Sequence, residues 1–161
     1  MSAAPTTTET AWAAAIVAAL QTKFSAECDL IAAYSFRDGG DPLATITGQH
    51  ALLLRAGDAQ MPEETRDLAR QPIEIEWTIS VAVPTSADDP DLLAMARARR
   101  VATLIKGKRG TNPDRGNRWG LGAAVGDPRA PALPEWDDID LHGYILRPVR
   151  WRQTGHFALT D

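Results

Sequence analysis

Cysteine occurs once in this chain, at Cys28, which excludes an internal disulfide and a cysteine-built zinc site. No run of 18 apolar residues is present, so the sequence predicts no transmembrane helix and no membrane partner. The apolar stretch from Ala11 to Leu20 follows a segment with no basic residue and with Glu9, which argues against a signal peptide and for a cytosolic setting. Histidine appears only at His50, His142 and His156, without the close pairing of a metal-binding motif. No serine stands in a GxSxG elbow. Cys28 lies between Glu27 and Asp29, which disfavours its thiolate and hence a nucleophilic role. No internal repeat is visible. These absences remove the common routes to catalysis, so the sequence reads as a non-enzyme without cofactor or metal. At 161 residues the chain is expected to form one domain, burying roughly 70% of its unfolded surface.

The most informative segment that is present runs from Ile73 to Val83. Its odd positions are Ile73, Ile75, Trp77, Ile79, Val81 and Val83, while Glu74, Glu76, Thr78, Ser80 and Ala82 fill the even ones. Side chains alternate faces along a strand, so one face of this segment is dry. Such a strand spans about 36 Å, about twice the common length.

Around it the chain divides into shorter elements. Residues 1–8 are rich in Ala, Thr and Pro and are expected to fray. Thr6 and Glu9 have capping-box spacing, placing a helix start near Thr7. Trp12, Ala13, Ile16, Val17, Leu20 and Phe24 share one face of that helix, which ends near Ser25. Leu30 to Tyr34 predicts a short strand, and Ala51 to Arg55 a strand buried on both faces. Gly57 to Pro72 reads as a polar connection with one helical turn over residues 63–69. Asp89 and Pro90 start a second helix that runs to Lys106 and stops at Gly107. Its apolar face is Ala94, Met95, Ala98, Val101, Ala102 and Ile105; Arg97, Arg99 and Arg100 are assigned to the opposite face. A last strand covers Leu141 to Arg152, where Pro148 points to a sheet edge. The predicted fold is α+β: a mostly antiparallel sheet with two helices on one face and a long loop, residues 107–140, before the last strand.

That loop is rich in Gly and Pro, and Trp119 and Trp136 suggest that it docks on something. Its glycines at 120, 122 and 126 resemble a phosphate loop only loosely, since they follow a basic loop and not a strand. The carboxylates at Asp137, Asp138 and Asp140 lack the ligand spacing of a calcium loop and read as a solvated turn. Eight basic residues and one acidic residue lie between Arg97 and Arg118. Arg97, Arg99, Arg100, Lys106, Lys108, Arg109, Arg115 and Arg118, with Trp119 and Trp136, are therefore the candidate interface residues. Phosphates with Trp119 stacking, or an acidic protein surface, are the two partners that pattern suits. Residues 1–91 carry 14 acidic and 5 basic side chains, a balance of −9; residues 92–161 carry 7 and 12, a balance of +5. A chain so polarised suits head-to-tail association.

In element order and patterning the chain resembles the tail-terminator, or tail-completion, proteins of long-tailed bacteriophages and prophages, the Mu-like branch most closely. The residues that carry the likeness are the helix from Trp12 to Phe24, ALLLRAG from Ala51 to Gly57, EIEWTISV from Glu74 to Val81, the helix from Asp91 to Ile105, and the aromatic-bearing strand from Gly143 to Trp151. The loop before the last strand departs from the compact members of that group. The resemblance implies a structural virion protein assembled in the host cytoplasm. It would form a homo-oligomeric ring, a hexamer, that caps the tail tube protein and meets the head–tail connector protein, with DNA passing its lumen without specific contacts. The alternatives are another head–tail connector or tail-tube morphogenesis protein, or a small cytosolic nucleic-acid-binding module or enzyme.

Overall fold

A computed structural model describes residues 4–34, 49–61, 70–107, 116–134, 140–141 and 143–159. The helix expected near residue 63 and Trp136 lie outside the described residues, as do Lys108, Arg109 and Arg115.

The first helix, α1, is Glu9–Phe24. Its cap is Thr8, whose side chain accepts from the Ala11 backbone N–H at 3.1 Å, so the helix starts two residues later than the Thr6–Glu9 spacing predicts. The segment before it is held in place, contrary to the expected fraying. Thr7 is buried and its N–H donates to the His156 carbonyl at 2.8 Å, because that carbonyl lies on a strand edge that still needs a donor. Trp12, Ile16, Leu20 and Phe24 recur every fourth residue and are fully buried, with Ala13 and Val17 packed beside them.

Five strands follow the order β1-β2-β3-β5-β4 across one sheet. They are β1 (Leu30–Ala33), β2 (Ala51–Gln60), β3 (Arg70–Pro84), β4 (Asp140–Leu141) and β5 (Tyr144–Ala158). The β1–β2 pair is parallel and the others are antiparallel. A second helix, α2 (Pro90–Lys106), links β3 to the β4–β5 side. The class is α+β, as expected.

The long strand is longer than its alternation shows. All 15 residues of β3 pair with β5, from Arg70 opposite Ala158 to Pro84 opposite Tyr144. The extra residues have weak strand propensity on their own, and ladder hydrogen bonds decide their state. The same holds for β2, which continues past Arg55 to Gln60 where a polar connection was expected. Its register against β3 shifts between Ala56 and Ala59, which marks a bulge at Gly57 and Asp58. A side chain at Gly57 would stand 3.1 Å from the Glu76 carbonyl, so glycine permits that close approach.

Both helices cover the same sheet face. Ile75, Trp77, Ile79, Val81 and Val83 of β3 and Val149 and Trp151 of β5 meet the α1 row and Ala94, Ala98, Val101 and Ile105 of α2 in one core. Burying each large aliphatic side chain there contributes about 1.5–3 kcal/mol. Four tryptophans run through the core: Trp12 meets Trp77 edge-on at 5.1 Å, Trp77 stacks with Trp151 at 6.4 Å, and Trp151 tilts against Trp119 at 5.9 Å. Gly155 makes room for the first of them, since a Cβ there would lie 2.5 Å from Trp12 Cζ3.

The first four residues of β2 are buried on both faces, as predicted for that stretch, with Leu52 and Leu54 in the main core. Ala51 and Leu53 join Ala82 and Tyr144 in a smaller cluster on the opposite face. Thr78 is also buried on that opposite face, so the even positions of β3 are less exposed than alternation alone suggests.

The α2 start differs from the expected cap. Asp89 adopts a left-handed conformation, φ 45°, and its side chain makes no capping hydrogen bond. Pro90 at the first turn sets the helical φ without needing a donor. At the other end Gly107, φ 79°, stops the helix and donates to the Thr103 and Leu104 carbonyls.

Candidate assembly surface

Pro148 was expected to put the last strand at a sheet edge. Instead, β4 and part of the long loop lie along the outer side of β5. Gly126 N donates to Thr154 O at 2.8 Å, Arg129 N to Arg152 O at 2.8 Å, and Ala132 and Arg150 exchange bonds of 2.7 and 3.0 Å. These sit at alternate residues because only every second residue of a strand points its polar groups outward. Pro148, which has no N–H to offer, falls in the interval between this strap and the short β4 pairing at Tyr144 and Ile145.

One side chain pins the strap to the sheet. Gln153 is 1% exposed, on the same face of β5 as Trp151. Its Oε1 accepts from Trp119 Nε1 at 3.0 Å and from Trp151 Nε1 at 3.1 Å. Its Nε2 donates to the Asn117 and Gly126 carbonyls at 2.9 and 2.7 Å. A carboxamide has two donors and an acceptor oxygen with two lone pairs, and all of these are used. Trp119 is therefore a core residue at φ 59°, and its indole is not available to stack on a base. Asn117 holds the turn by accepting from Trp119 N at 2.8 Å and donating to Leu104 O at 3.1 Å.

The basic residues divide into three groups. Arg97 is 6% exposed, against its assignment to the solvated face. Its position three residues after Ala94 and four before Val101 puts it beside the apolar stripe. Its guanidinium donates to His50 Nδ1 and to the Glu27 carbonyl. Arg100 makes two 2.7 Å bonds to the Glu27 carboxylate and lies 5.0 Å above the Phe24 ring. Arg118 pairs with Asp127 at 2.9 Å. Arg99 and Lys106 stand exposed on α2.

The charge asymmetry is partly satisfied inside the chain. On the sheet face away from the helices, Glu74 meets Arg129 at 3.0 Å and Arg152 at 3.6 Å, and Glu76 meets Arg152 at 3.4 Å. Glu27 does the same for Arg97 and Arg100. Acidic residues of the first half are thus paired with arginines of the second. The face through Glu74 and Glu76 carries its own counter-ions.

Removing the Arg97 side chain by Arg97→Ala is expected to cost about 1–3 kcal/mol, since it deletes a buried side chain and takes the donor from the half-buried His50 ring and the Glu27 carbonyl. Arg99→Glu, on the exposed side of the same helix, should stay within about 0.5 kcal/mol. Urea unfolding of the two variants checks this. Equal effects would return Arg97 to the solvated face.

Among the described residues the exposed large apolar side chains are Met61, Leu92, Leu133 and Leu159, and apolar surface lies at both ends of the long ladder. A groove of about 750 Å³ lies where the start of α1 meets the first residues of β3 and the last of β5, lined by Thr7, Ile73, Leu121 and Phe157 with Met61 and Leu159 at its rim. Met61 and Leu159 are 67% and 53% exposed. Leu92, 65% exposed, stands in the first turn of α2, which follows the far end of β3 at Pro84. At about 3.3 Å per residue, Ile73 and Pro84 are roughly 36 Å apart.

Among the described residues no cluster of three or more His, Cys, Asp or Glu could hold a metal ion, and no helix is long and apolar enough to cross a membrane. Cys28 is buried, and burial pushes its thiol pKa up, with Glu27 and Asp29 adding to the shift and Arg97 opposing it. No family model matches the chain, and no curated protein matches it.

Proposed function

We propose that this chain is a structural subunit of a phage or prophage tail terminator, working as a ring that caps the tail tube and meets the head connector. The observation that carries the reading is the long β3–β5 ladder with an apolar groove at one end and the exposed side chain of Leu92 at the other. A groove and an unlike surface on one molecule make heterologous contacts, which close into rings when the rotation per subunit allows. The order of helix, short strand, long strand, helix and long strand also supports it, being the order on which the resemblance rests. Hexameric closure, the tail-tube and connector partners, and unspecific passage of DNA belong to the same proposal.

The nucleic-acid-binding alternative loses its stacking residue, because Trp119 is packed against Trp151 and bound to Gln153. A connector or tube relative uses the same ladder and is separated from a terminator by phenotype. Deleting the gene from the virus or prophage that carries it is expected to yield heads without joined tails and tails of uncontrolled length in electron micrographs. Normal tails at normal yield would exclude the terminator role.

A further inference from the structure

His50 is a junction between three parts of the fold. Its carbonyl accepts from Asp29 N at 2.9 Å and Leu30 N at 3.2 Å, fixing the start of β1. Its own N–H donates to Asp29 Oδ2 at 3.2 Å. Its ring Nδ1 takes the guanidinium of Arg97, which comes from α2 and also donates to the Glu27 carbonyl at 3.4 Å. An arginine only donates, so Nδ1 must be the unprotonated nitrogen of a neutral ring.

We infer that His50 and Arg97 form a pH-sensitive latch, which tightens the hold of α2 on the start of β1 and its preceding turn while His50 is neutral and slackens it when His50 gains a proton, the Arg100–Glu27 pair remaining in place. Protonation at Nδ1 turns an acceptor into a donor facing another donor. It also sets an imidazolium against a buried guanidinium. The charged groups around the ring are Arg97 from α2 and Asp29 from the turn. Glu27 is taken up by both Arg100 at 2.7 Å and Arg97 at 3.8 Å, so it is not free to swing to the imidazole.

The direction of the pH effect follows. Burial and Arg97 lower the His50 pKa, and Asp29 offsets part of that. The unfolded chain therefore takes up the proton at higher pH than the folded one. The latch contributes fully above about pH 6.5, the ordinary histidine value. Its contribution is lost as pH falls from there until His50 is protonated in the folded state. Among the described residues β1 pairs with β2 over Leu30–Ala33, while Cys28 and Ile31 pack into the core and Arg100 keeps its hold on Glu27, so the loss is a local loosening of residues 29–33.

Amide hydrogen exchange of residues 29–33 at pH 7.5 and 5.5, compared between wild type and His50→Gln, tests the latch. Glutamine keeps an acceptor and does not titrate. In the wild type, protection should fall at least about threefold on acidification beyond the intrinsic rate change, while the centre of the β3–β5 ladder holds. In the variant the pH response should vanish. An equal response in both proteins overturns the latch. If His50→Gln does not fold, the wild-type His50 ring titration followed by NMR decides. A midpoint below the ordinary histidine value supports the latch, and one at or above that value overturns it.

Discussion

Replacing Gln153 with Leu is expected to destabilise the protein by more than about 3 kcal/mol, since each buried donor or acceptor left unpaired costs about 1–3 kcal/mol. Two buried groups, the indole N–H groups of Trp119 and Trp151, and two half-buried ones, the carbonyls of Asn117 and Gly126, depend on this side chain. Leucine is close in size, so the loss is polar and not a cavity. The damage should also be directional. With its pin removed, the strap keeps the backbone bonds of Gly126, Arg129 and Ala132 to β5, the Arg129–Glu74 pair and the Asn117 bonds to the end of α2, but loses the tie at its centre. Trypsin should then cut after Arg118 and Arg129 much faster than in the wild type. Urea unfolding and timed proteolysis report the two effects. A loss below about 1 kcal/mol with unchanged cleavage would mean that the strap is held by something other than Gln153.

Trp77→Ala is expected to cost about 3–5 kcal/mol, as removal of a fully buried aromatic does. Trp77 is the residue that joins α1 to both long strands. It meets Trp12 of α1 edge-on and stacks on Trp151 of β5 directly opposite in the ladder. Alanine there leaves a void between layers that cannot close, because the ladder holds the strands at fixed spacing. Leu92→Ala gives the contrast: it removes an exposed side chain and should leave unfolding within about 0.5 kcal/mol. Chemical denaturation of both variants measures the difference, and similar midpoints would place Trp77 outside the core.

Much of this architecture was legible because periodicity is a local signal. The alternation from Ile73 to Val83 marked the inner face of β3, and the four-residue spacing from Trp12 to Phe24 marked the buried face of α1. Pro90 and Gly107 bracketed α2 correctly. What stayed hidden depended on partners distant in sequence. Gly57 to Gln60 is polar and reads as a connection, yet β3 pulls it into the ladder across a bulge. Gln153 looked like the residue after a strand, not its core. The signal available was parity, since it stands at the same alternation as Val149 and Trp151. Arg97 was assigned by charge to the surface, although its spacing from Ala94 and Val101 put it beside the apolar stripe. Its burial became possible only because His50 and Glu27, far away in sequence, supply acceptors.

The candidate interface was less legible for the same reason. A balance of −9 against +5 between the two parts of the chain suits contacts between subunits, but it equally suits contacts within one. Glu27, Glu74 and Glu76 take up Arg97, Arg100, Arg129 and Arg152 in the fold itself. The more exposed of these pairs, such as Arg100–Glu27 and Arg152–Glu76, are individually worth about 0–1 kcal/mol. Their effect on the assembly proposal is to shift attention from the arginine face of α2 to the apolar groove and to Leu92.

The proposed role is tested most directly by locating the chain in an assembled particle. Cryo-electron microscopy of the virion at the joint between head and tail is predicted to show a single ring of this fold on the last disc of the tail tube, with the Leu92 end of one subunit in the Met61–Leu159 groove of the next. A joint whose density is fully accounted for by other chains, with this one elsewhere or absent from the particle, would contradict it.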